Sequence, residues 1–377
     1  MIKVRRELQD QVQKKLQPNK VIVITGARRV GKTFLLKDII SELDKDFLLL
    51  NGEDINTHLL LKKRSVENYR NILGGKKILL IDEAQKIPEI GSILKLIVDG
   101  IEGVRVMVTG SSAFDLMNLA GEPLTGRKHT FILHPLSVRE YAVQETALIR
   151  PDRLMQRLIY GNYPELLHIE ETKSKQEYLN EIVSSYLLRD ILSFENIRNS
   201  EKVINLLRLI AFQISGLVSL HELGRQIGVS KNTVEKYLDL LSKVFVLFKI
   251  EGFSRNLRKE ITKSSKWYFY DNGIRNSVIN NFNLPELRND TGQLWENFLA
   301  SERLKYQQYK RLKFNNFFWR TYDHQEIDWI EEENGELHGF EFKMKNRREM
   351  IPAAWKKAYP SASYRIISPE NYFEWLS

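Results

Sequence analysis

Residues 21–33 read Val21-Ile-Val-Ile-Thr-Gly26-Ala-Arg-Arg-Val-Gly31-Lys32-Thr33, and this stretch decides the fold of the N-terminal part of the chain. The β-branched run at 21–25 is typical of a parallel strand that is buried on both faces. The next eight residues match the pattern G-x-x-x-x-G-K-S/T, and apolar residues at helical spacing follow them. A loop of this kind between a strand and a helix directs backbone N–H groups at phosphates, so the sequence predicts a nucleotide site.

The loop residues have different predicted roles in binding ATP and Mg²⁺. We expect Lys32 to reach the β- and γ-phosphates and to assist catalysis, and the Thr33 hydroxyl to ligate Mg²⁺. The other predicted nucleotide-binding residues of the loop are Gly26, Arg28, Arg29, Val30 and Gly31.

Two further strand ends complete the predicted site. Residues 77–85 (Lys-Ile-Leu-Leu-Ile-Asp-Glu-Ala-Gln) are typical of a central strand with two carboxylates at its tip. Asp82 is expected to bind ATP and hold the Mg²⁺ shell, and Glu83 to polarise the attacking water. The strand at 104–109 leads into Ser111, for which we predict a γ-phosphate contact; a simple turn is the alternative.

Motifs along the chain carry a family resemblance. They are Gly-Ala-Arg-Arg-Val-Gly-Lys-Thr (26–33), Ile-Asp-Glu-Ala-Gln (81–85), Val-Thr-Gly-Ser-Ser (108–112), Leu119-Ala-Gly121, Gly126-Arg127, Leu133-His-Pro-Leu-Ser137, Glu140-Tyr141, Gly161-Asn-Tyr-Pro-Glu165 and Tyr186-Leu-Leu-Arg-Asp190. The chain resembles AAA+ and related P-loop ATPases, in particular the prokaryotic predicted ATPases whose AAA core is followed by a DUF4143 region. This resemblance implies that Arg127 is a catalytic, γ-phosphate-directed arginine, acting in its own subunit or in a neighbour of a homo-oligomer. A solvated arginine is the alternative.

The amino-acid composition excludes several kinds of site and of protein. The 377 residues carry a formal charge of +9, are 42% hydrophobic and include no cysteine, which excludes disulfides, thiolate metal sites and thiol nucleophiles. No run of 18 apolar residues indicates a membrane span, and the polar N-terminus does not resemble a secretory signal. We therefore expect a cytoplasmic protein with no membrane partner.

The positive charge is concentrated in the middle of the chain. Residues 201–270 hold 12 Lys and Arg but 6 Asp and Glu. Residues 219–241 are typical of two helices joined by a tight turn at Gly228, and two β-rich segments follow, which predicts a winged helix. Such a domain binds DNA or docks a protein, and the local charge favours DNA. The predicted DNA contacts are Lys231, Asn232, Thr233, Arg255, Arg258 and Lys259.

Carboxylates dominate the C-terminal motifs. A helix carries Glu296, and three strand-like segments contribute Asp328, Glu341 and Lys343. These groups could form a second metal site, with the carboxylates on Mg²⁺ or Mn²⁺ and the ammonium beside them. This part looks like the PD-(D/E)xK nuclease fold, with Ile327 where the pattern has proline. In this family the fold could bind DNA without cutting it.

The predicted architecture is a multidomain α/β chain. We expect an AAA-like P-loop core with a parallel sheet over 1–145, a helical lid over 146–200, a winged helix over 201–271 and a nuclease-like mixed α/β domain over 272–377. The predicted function is Mg²⁺-dependent ATP hydrolysis coupled to a DNA-binding module. The alternative is a nucleotide-gated switch whose C-terminal domains dock proteins without DNA cleavage.

Overall fold

The computed structural model divides into two compact units. One comprises Lys3–Pro135 with Lys243–Phe245, and the other comprises Leu136–Ser242 with Val246–Ser377. The described residues are 3–42, 46–111, 124–146, 148–187, 200–254, 265–321, 323–345 and 350–376.

The N-terminal unit alternates strands with helices. Its elements are α1 (Leu8–Lys15), β1 (Val21–Thr25), α2 (Lys32–Ser41), β2 (Phe47–Asn51), α3 (Ile55–Lys62), α4 (Val66–Leu73), β3 (Ile78–Asp82), α5 (Ile90–Gly100), β4 (Arg105–Gly110) and β5 (Lys128–Ile132). Parallel pairing places the strands in the order β2-β3-β4-β1-β5. The predicted parallel α/β fold is confirmed.

The apolar runs of this sheet form its core. Every residue of β1 is buried, and so are the four residues of β3 that precede Asp82. Helices cover parallel sheets on both faces, which is why these strands are continuously apolar and do not alternate. Because the strands are parallel and in register, their carboxyl ends share one edge, and this edge receives the polar residues that follow β1, β3 and β4.

The C-terminal unit begins with helices and continues with strands and helices in alternation. Its elements are α6 (Val138–Ala142), α7 (Arg150–Tyr160), α8 (Thr172–Glu181), α9 (Ser200–Phe212), β6 (Leu217–Val218), α10 (Leu220–Ile227), α11 (Lys231–Lys243), β7 (Leu247–Gly252), β8 (Ser265–Phe269), α12 (Asn272–Val278), α13 (Thr291–Lys310), β9 (Asn315–Arg320), β10 (Glu326–Glu333), β11 (Glu336–Phe342), α14 (Ala353–Ala358), β12 (Ser363–Ile367) and α15 (Tyr372–Trp375). Single 3-10 turns lie at Ala84–Lys86, Pro164–Leu167 and Pro285–Leu287, and a π-helix at Ile182–Leu187.

One seven-stranded sheet runs through this unit in the order β12-β11-β10-β9-β7-β8-β6. Its centre is the parallel pair β7–β9, in which Glu251 lies opposite Phe317 and Gly252 opposite Phe318. The winged-helix and nuclease-like segments predicted at 201–271 and 272–377 therefore share one sheet. No local pattern indicates this pairing, because the two strands are far apart in the sequence.

Helix α13 packs against the sheet through both apolar and hydrogen-bonded side chains. Trp295 is fully buried in the aromatic core, while the Asn297 side chain accepts a hydrogen bond from the Phe269 N–H and donates to its carbonyl. Further along, Arg303 donates two hydrogen bonds to the buried Glu331 of β10, at 2.6 and 2.8 Å. The helix is therefore joined to strands on both sides of the β7–β9 pair.

Among the helices that the structure describes, none is both long and apolar enough to span a membrane.

Candidate functional site

The predicted phosphate loop connects β1 to α2. Lys32 is the first residue of α2 and only 5% exposed, and its ammonium donates hydrogen bonds to the carbonyl oxygens of Gly26 (3.0 Å) and Ala27 (2.9 Å). A Cβ atom at Gly26 would lie 2.1 Å from the carbonyl oxygen of Leu133, so the loop can approach this backbone only with glycine. The loop is thus folded tightly around the lysine.

The other loop residues differ in exposure. Arg29 is exposed, with a left-handed φ of 62°, Arg28 is half-buried, and Gly31 precedes α2. Val30 is fully buried, and its carbonyl oxygen accepts a hydrogen bond from Arg6 at 2.7 Å.

Arg6 therefore supports the loop from the N-terminal segment. Its guanidinium is 6% exposed and also donates to the carbonyl oxygen of His134 at 2.6 Å. No sequence motif indicated this arginine, because its contacts are to backbone atoms far along the chain.

Asp82 lies beside the loop at the same edge of the sheet. The Thr33 hydroxyl donates to its Oδ2 at 2.8 Å, and the Thr109 hydroxyl donates to its Oδ1. A hydroxyl and a carboxylate are hard oxygen ligands of the kind Mg²⁺ prefers, so these two side chains fit the predicted Mg²⁺ role. Thr109, which the sequence analysis did not assign, orients the carboxylate.

Glu83 follows Asp82 with a left-handed φ of 50°. Its N–H donates to the Thr109 hydroxyl at 3.1 Å. The Gln85 amide donates to Glu83 Oε2 at 2.5 Å and to the Ser111 hydroxyl at 3.0 Å. Gln85 thus connects the predicted base to the predicted γ-phosphate contact.

Gly52 contacts the same strand tip from the neighbouring strand. It directly follows β2, and its N–H donates to the Asp82 carbonyl oxygen at 2.8 Å. A Cβ atom there would lie 2.2 Å from the Glu83 carbonyl oxygen. The only signal for this residue in the sequence is a glycine at the end of an apolar run.

Arg127 lies at the opposite edge of the sheet. Its carbonyl oxygen accepts from the N–H of Val21, the first residue of β1, whereas the phosphate loop follows the last residue of that strand. Its guanidinium pairs with Asp99 at 2.6 Å. A whole strand therefore separates Arg127 from the phosphate loop of its own subunit. Its catalytic role, in its own subunit or in a neighbouring one, stays a prediction.

Three of the six predicted DNA contacts lie at the start of α11. Lys231 and Asn232 are exposed, while the Thr233 hydroxyl is 2.9 Å from the Ser230 hydroxyl, which also accepts from the Thr233 N–H. Thr233 is thus part of the helix cap. Three other predicted contacts, namely Arg255, Arg258 and Lys259, lie outside the described residues.

The C-terminal acids surround a lysine that the sequence analysis had not assigned. Lys266 of β8 is 2% exposed, and its ammonium lies 2.8 Å from Glu296, 2.6 Å from Glu326 and 3.5 Å from Asp328. Its position in a strand-like aromatic segment gave no sign of burial among acids.

Two other residues of the predicted C-terminal metal site, Glu341 and Lys343, line the same pocket as Lys266. Glu341 and Lys343 form an ion pair at 2.6 Å, and all these groups line one open pocket of about 790 Å³. In the described part of the chain, no group of three or more Asp, Glu or His side chains is arranged to hold a metal ion.

The acids of this pocket perturb one another. Burial, together with the negative charge of Asp328, raises the pKa of Glu296 to about 7. Burial and Asp328 likewise raise the pKa of Glu341 to about 7. Burial disfavours the ammonium of Lys266, but Glu296 and the other acidic groups raise its pKa well above the usual value. Asp328 therefore raises the pKa of both glutamates, and the acids around Lys266 favour its charged form.

Three protein families match consecutive parts of the chain. A family described as an AAA domain matches residues 18–142. A domain of unknown function, DUF8612, matches residues 151–284. Another domain of unknown function, DUF4143, matches residues 291–371.

The chain is also similar to proteins that match most of its length and to a solved structure. An uncharacterised protein of Mycobacterium tuberculosis is 27% identical over 349 residues, covering 91% of this chain and 74% of the relative. One of Methanocaldococcus jannaschii is 26% identical over 346 residues, covering 84% and 73%. The Walker-type ATPase of Pyrococcus abyssi has a similar fold, with a TM-score of 0.50 and 16% identity over 72% of this chain and 94% of that one. The chain therefore carries an AAA-type P-loop domain followed by a DUF4143 domain.

Proposed function

We propose that the protein binds ATP with Mg²⁺, hydrolyses it in the N-terminal unit, and couples its nucleotide state to DNA contact through residues 201–271. The observation that carries the ATPase proposal is the hydrogen bond between Thr33 and Asp82 beside the buried Lys32. These are the three side chains that a P-loop ATPase needs for its metal and phosphates.

The hydrolytic roles follow from the same strand edge. Lys32 contributes positive charge to the phosphates, while Thr33 and Asp82 hold Mg²⁺, which offsets the charge that develops on the phosphate oxygens. Glu83 accepts a proton from the attacking water, and Gln85 orients its carboxylate through the bond to Oε2.

Phosphate release from the full chain tests this assignment. Glu83→Gln should slow hydrolysis by roughly 10²-fold while retaining ATP binding, because the water loses its base. Lys32→Ala should lose affinity, because a charged phosphate contact disappears. Glu102→Gln, at an exposed glutamate of the same unit, is the matched control. Equal turnover in Glu83→Gln and the unsubstituted protein would refute the role of Glu83.

The DNA proposal is supported by α10, the turn at Gly228 and α11, with two paired strands after them. This order of elements suits a winged helix, and the start of α11 exposes Lys231 and Asn232 to a groove or phosphate.

Salt dependence tests DNA binding. If Lys231 contacts a phosphate, Lys231→Ala should reduce the slope of log affinity against log salt by about one unit. Lys356→Ala, at an exposed lysine of α14, should leave it unchanged. Binding that does not depend on salt would contradict the proposal.

The protein-docking switch is a second candidate. The open C-terminal pocket is lined by six Asp and Glu side chains against three from Lys and Arg. A lining of this sign repels phosphodiesters and suits a protein partner better. ATP-dependent capture of a partner without any DNA affinity would favour this candidate.

A further inference from the structure

Lys266 occupies the centre of the C-terminal acid cluster. Its ammonium is within 3.5 Å of oxygens from Glu296, Glu326 and Asp328, which come from α13 and β10. The nuclease-like interpretation places Asp328 and Glu341 on a metal ion, with Glu296 close by, and Lys266 contacts Asp328 and Glu296. The position among them is taken by the chain's own cation.

Hydrogen bonds engage further oxygens of Asp328 and Glu296, whereas the buried Glu341 Oε2 has no hydrogen-bond partner. Asp328 Oδ2 accepts from the Phe342 N–H at 2.9 Å, so one oxygen of this carboxylate is bound to backbone and the other faces Lys266. Glu296 Oε1 accepts from the Tyr268 hydroxyl at 2.7 Å as well as from Lys266. Hydrogen bonds and the lysine therefore satisfy both oxygens of Asp328 and one oxygen of Glu296, which a metal at this position would need.

The charges of the cluster are offset by other side chains as well. Glu326 is shared between Lys266 and Arg320, whose guanidinium lies 3.2 Å from its Oε2. Glu341 is paired with Lys343. Asp and Glu oxygens gather around Mg²⁺ or Mn²⁺ because the ion relieves their repulsion, and here three basic side chains already provide that relief.

We propose that the ammonium of Lys266 is a built-in cation that replaces the divalent metal of a nuclease-like site, so that this pocket binds neither Mg²⁺ nor Mn²⁺ and does not cut DNA. The inference rests on the nuclease-like interpretation of residues 272–377 and is independent of ATP hydrolysis. It also predicts that the site is latent: without Lys266, the acids need another cation.

Manganese binding tests the proposal directly. Free Mn²⁺ is followed by electron paramagnetic resonance during titration of the nucleotide-free full chain. An Asp82→Asn background removes the carboxylate of the phosphate-loop site. With Lys266 intact we expect no stoichiometric Mn²⁺ site. Lys266→Ala should gain one stoichiometric site that binds Mn²⁺ at least tenfold more tightly than the protein with Lys266 intact. Adding Asp328→Asn to this variant should abolish the new site.

Two further variants separate charge removal from general damage. Lys249→Ala removes an exposed lysine of the neighbouring strand β7, whose partner is Glu251, and should gain no Mn²⁺ site. Lys266→Gln should gain the site as Lys266→Ala does, because it also lacks the positive charge, and it preserves more of the side-chain volume. Circular dichroism of each variant reports whether the fold is retained.

Two results would overturn the inference. The first is stoichiometric Mn²⁺ binding with Lys266 intact that disappears in Asp328→Asn, and this result does not depend on how the lysine variants fold. The second is a folded Lys266→Ala or Lys266→Gln protein that gains no Mn²⁺ site. Loss of ATPase activity or DNA affinity in other variants would refute the proposed function and leave this measurement unaffected.

Discussion

Replacing Gly52 by alanine should impair hydrolysis although this residue is not expected to touch ATP. The new Cβ atom would lie 2.2 Å from the Glu83 carbonyl oxygen and 2.9 Å from its carbonyl carbon. Ordinary contact begins near 3.4 Å, so the peptide after Glu83 must move by about 1 Å. Because these are backbone atoms, a side-chain rotation cannot relieve the overlap.

The expected magnitude follows from that displacement. A misplacement of about 1 Å at a catalytic group can slow a reaction roughly 10²-fold, which corresponds to about 2.7 kcal/mol in the activation barrier. Overpacking also costs about 1–3 kcal/mol of stability. ATP affinity should change much less, because Lys32 and its loop bonds are not touched by the substitution.

Steady-state phosphate release at saturating ATP, nucleotide binding and thermal unfolding measure the three effects separately. Gly292→Ala is the control, since a Cβ atom at that position meets nothing within 4 Å. If Gly52→Ala hydrolysed ATP as fast as the unsubstituted protein, the backbone at Glu83 would not determine the position of the base, and the reasoning would be refuted.

Three further outcomes can be measured. Gln85→Leu should lower hydrolysis by roughly fivefold without weakening ATP binding, because one orienting hydrogen bond is worth about 1 kcal/mol; an unchanged rate would contradict its role. Glu331→Ala should lower the free energy of unfolding by about 3–5 kcal/mol in urea titrations, since the charge of Arg303 is left buried without its carboxylate. The double variant Arg303→Leu with Glu331→Leu should recover most of this lost stability, because it leaves no buried charge. Because burial and Asp328 raise the pKa of Glu296 from 4.5 to about 7 in the folded protein, the folded state holds the extra proton and stability should fall as pH rises from about 4.5 to about 7. Glu296→Gln should weaken this dependence in thermal melts, and the part that remains should come from Glu341, whose pKa is also raised to about 7.

Local patterns predicted the strand, loop and helix that surround the candidate ATP site. The strand, the loop and α2 are encoded within residues 21–41, and of the two acids Asp82 ends β3 and Glu83 follows it directly. Gln85, Thr109 and Gly52 were not assigned, since their roles depend on which strands become neighbours in the sheet. Their contacts cross from β2 and β4 to β3, and only the strand order reveals them.

Lys266 shows the limit of charge counting. In the sequence it is one of the twelve basic residues between 201 and 270 that favour a DNA-binding surface. In the folded chain it is buried and paired with acids from beyond residue 290, so it adds nothing to the exposed charge. Net charge describes a surface only after burial is known, and burial here depends on contacts between distant segments.

The parallel pairing of β7 with β9 has a consequence for how this protein can be divided. A fragment that ended near residue 284, where the DUF8612 match ends, would leave the paired edge of β7 without its partner. Exposed strand edges recruit other chains and aggregate. In hydrogen exchange, the amides of β7 and β9 should open together as one cooperative unit, although the two strands belong to different sequence families. The boundary between those families thus divides one sheet, and we expect the unit that folds and unfolds to extend across it.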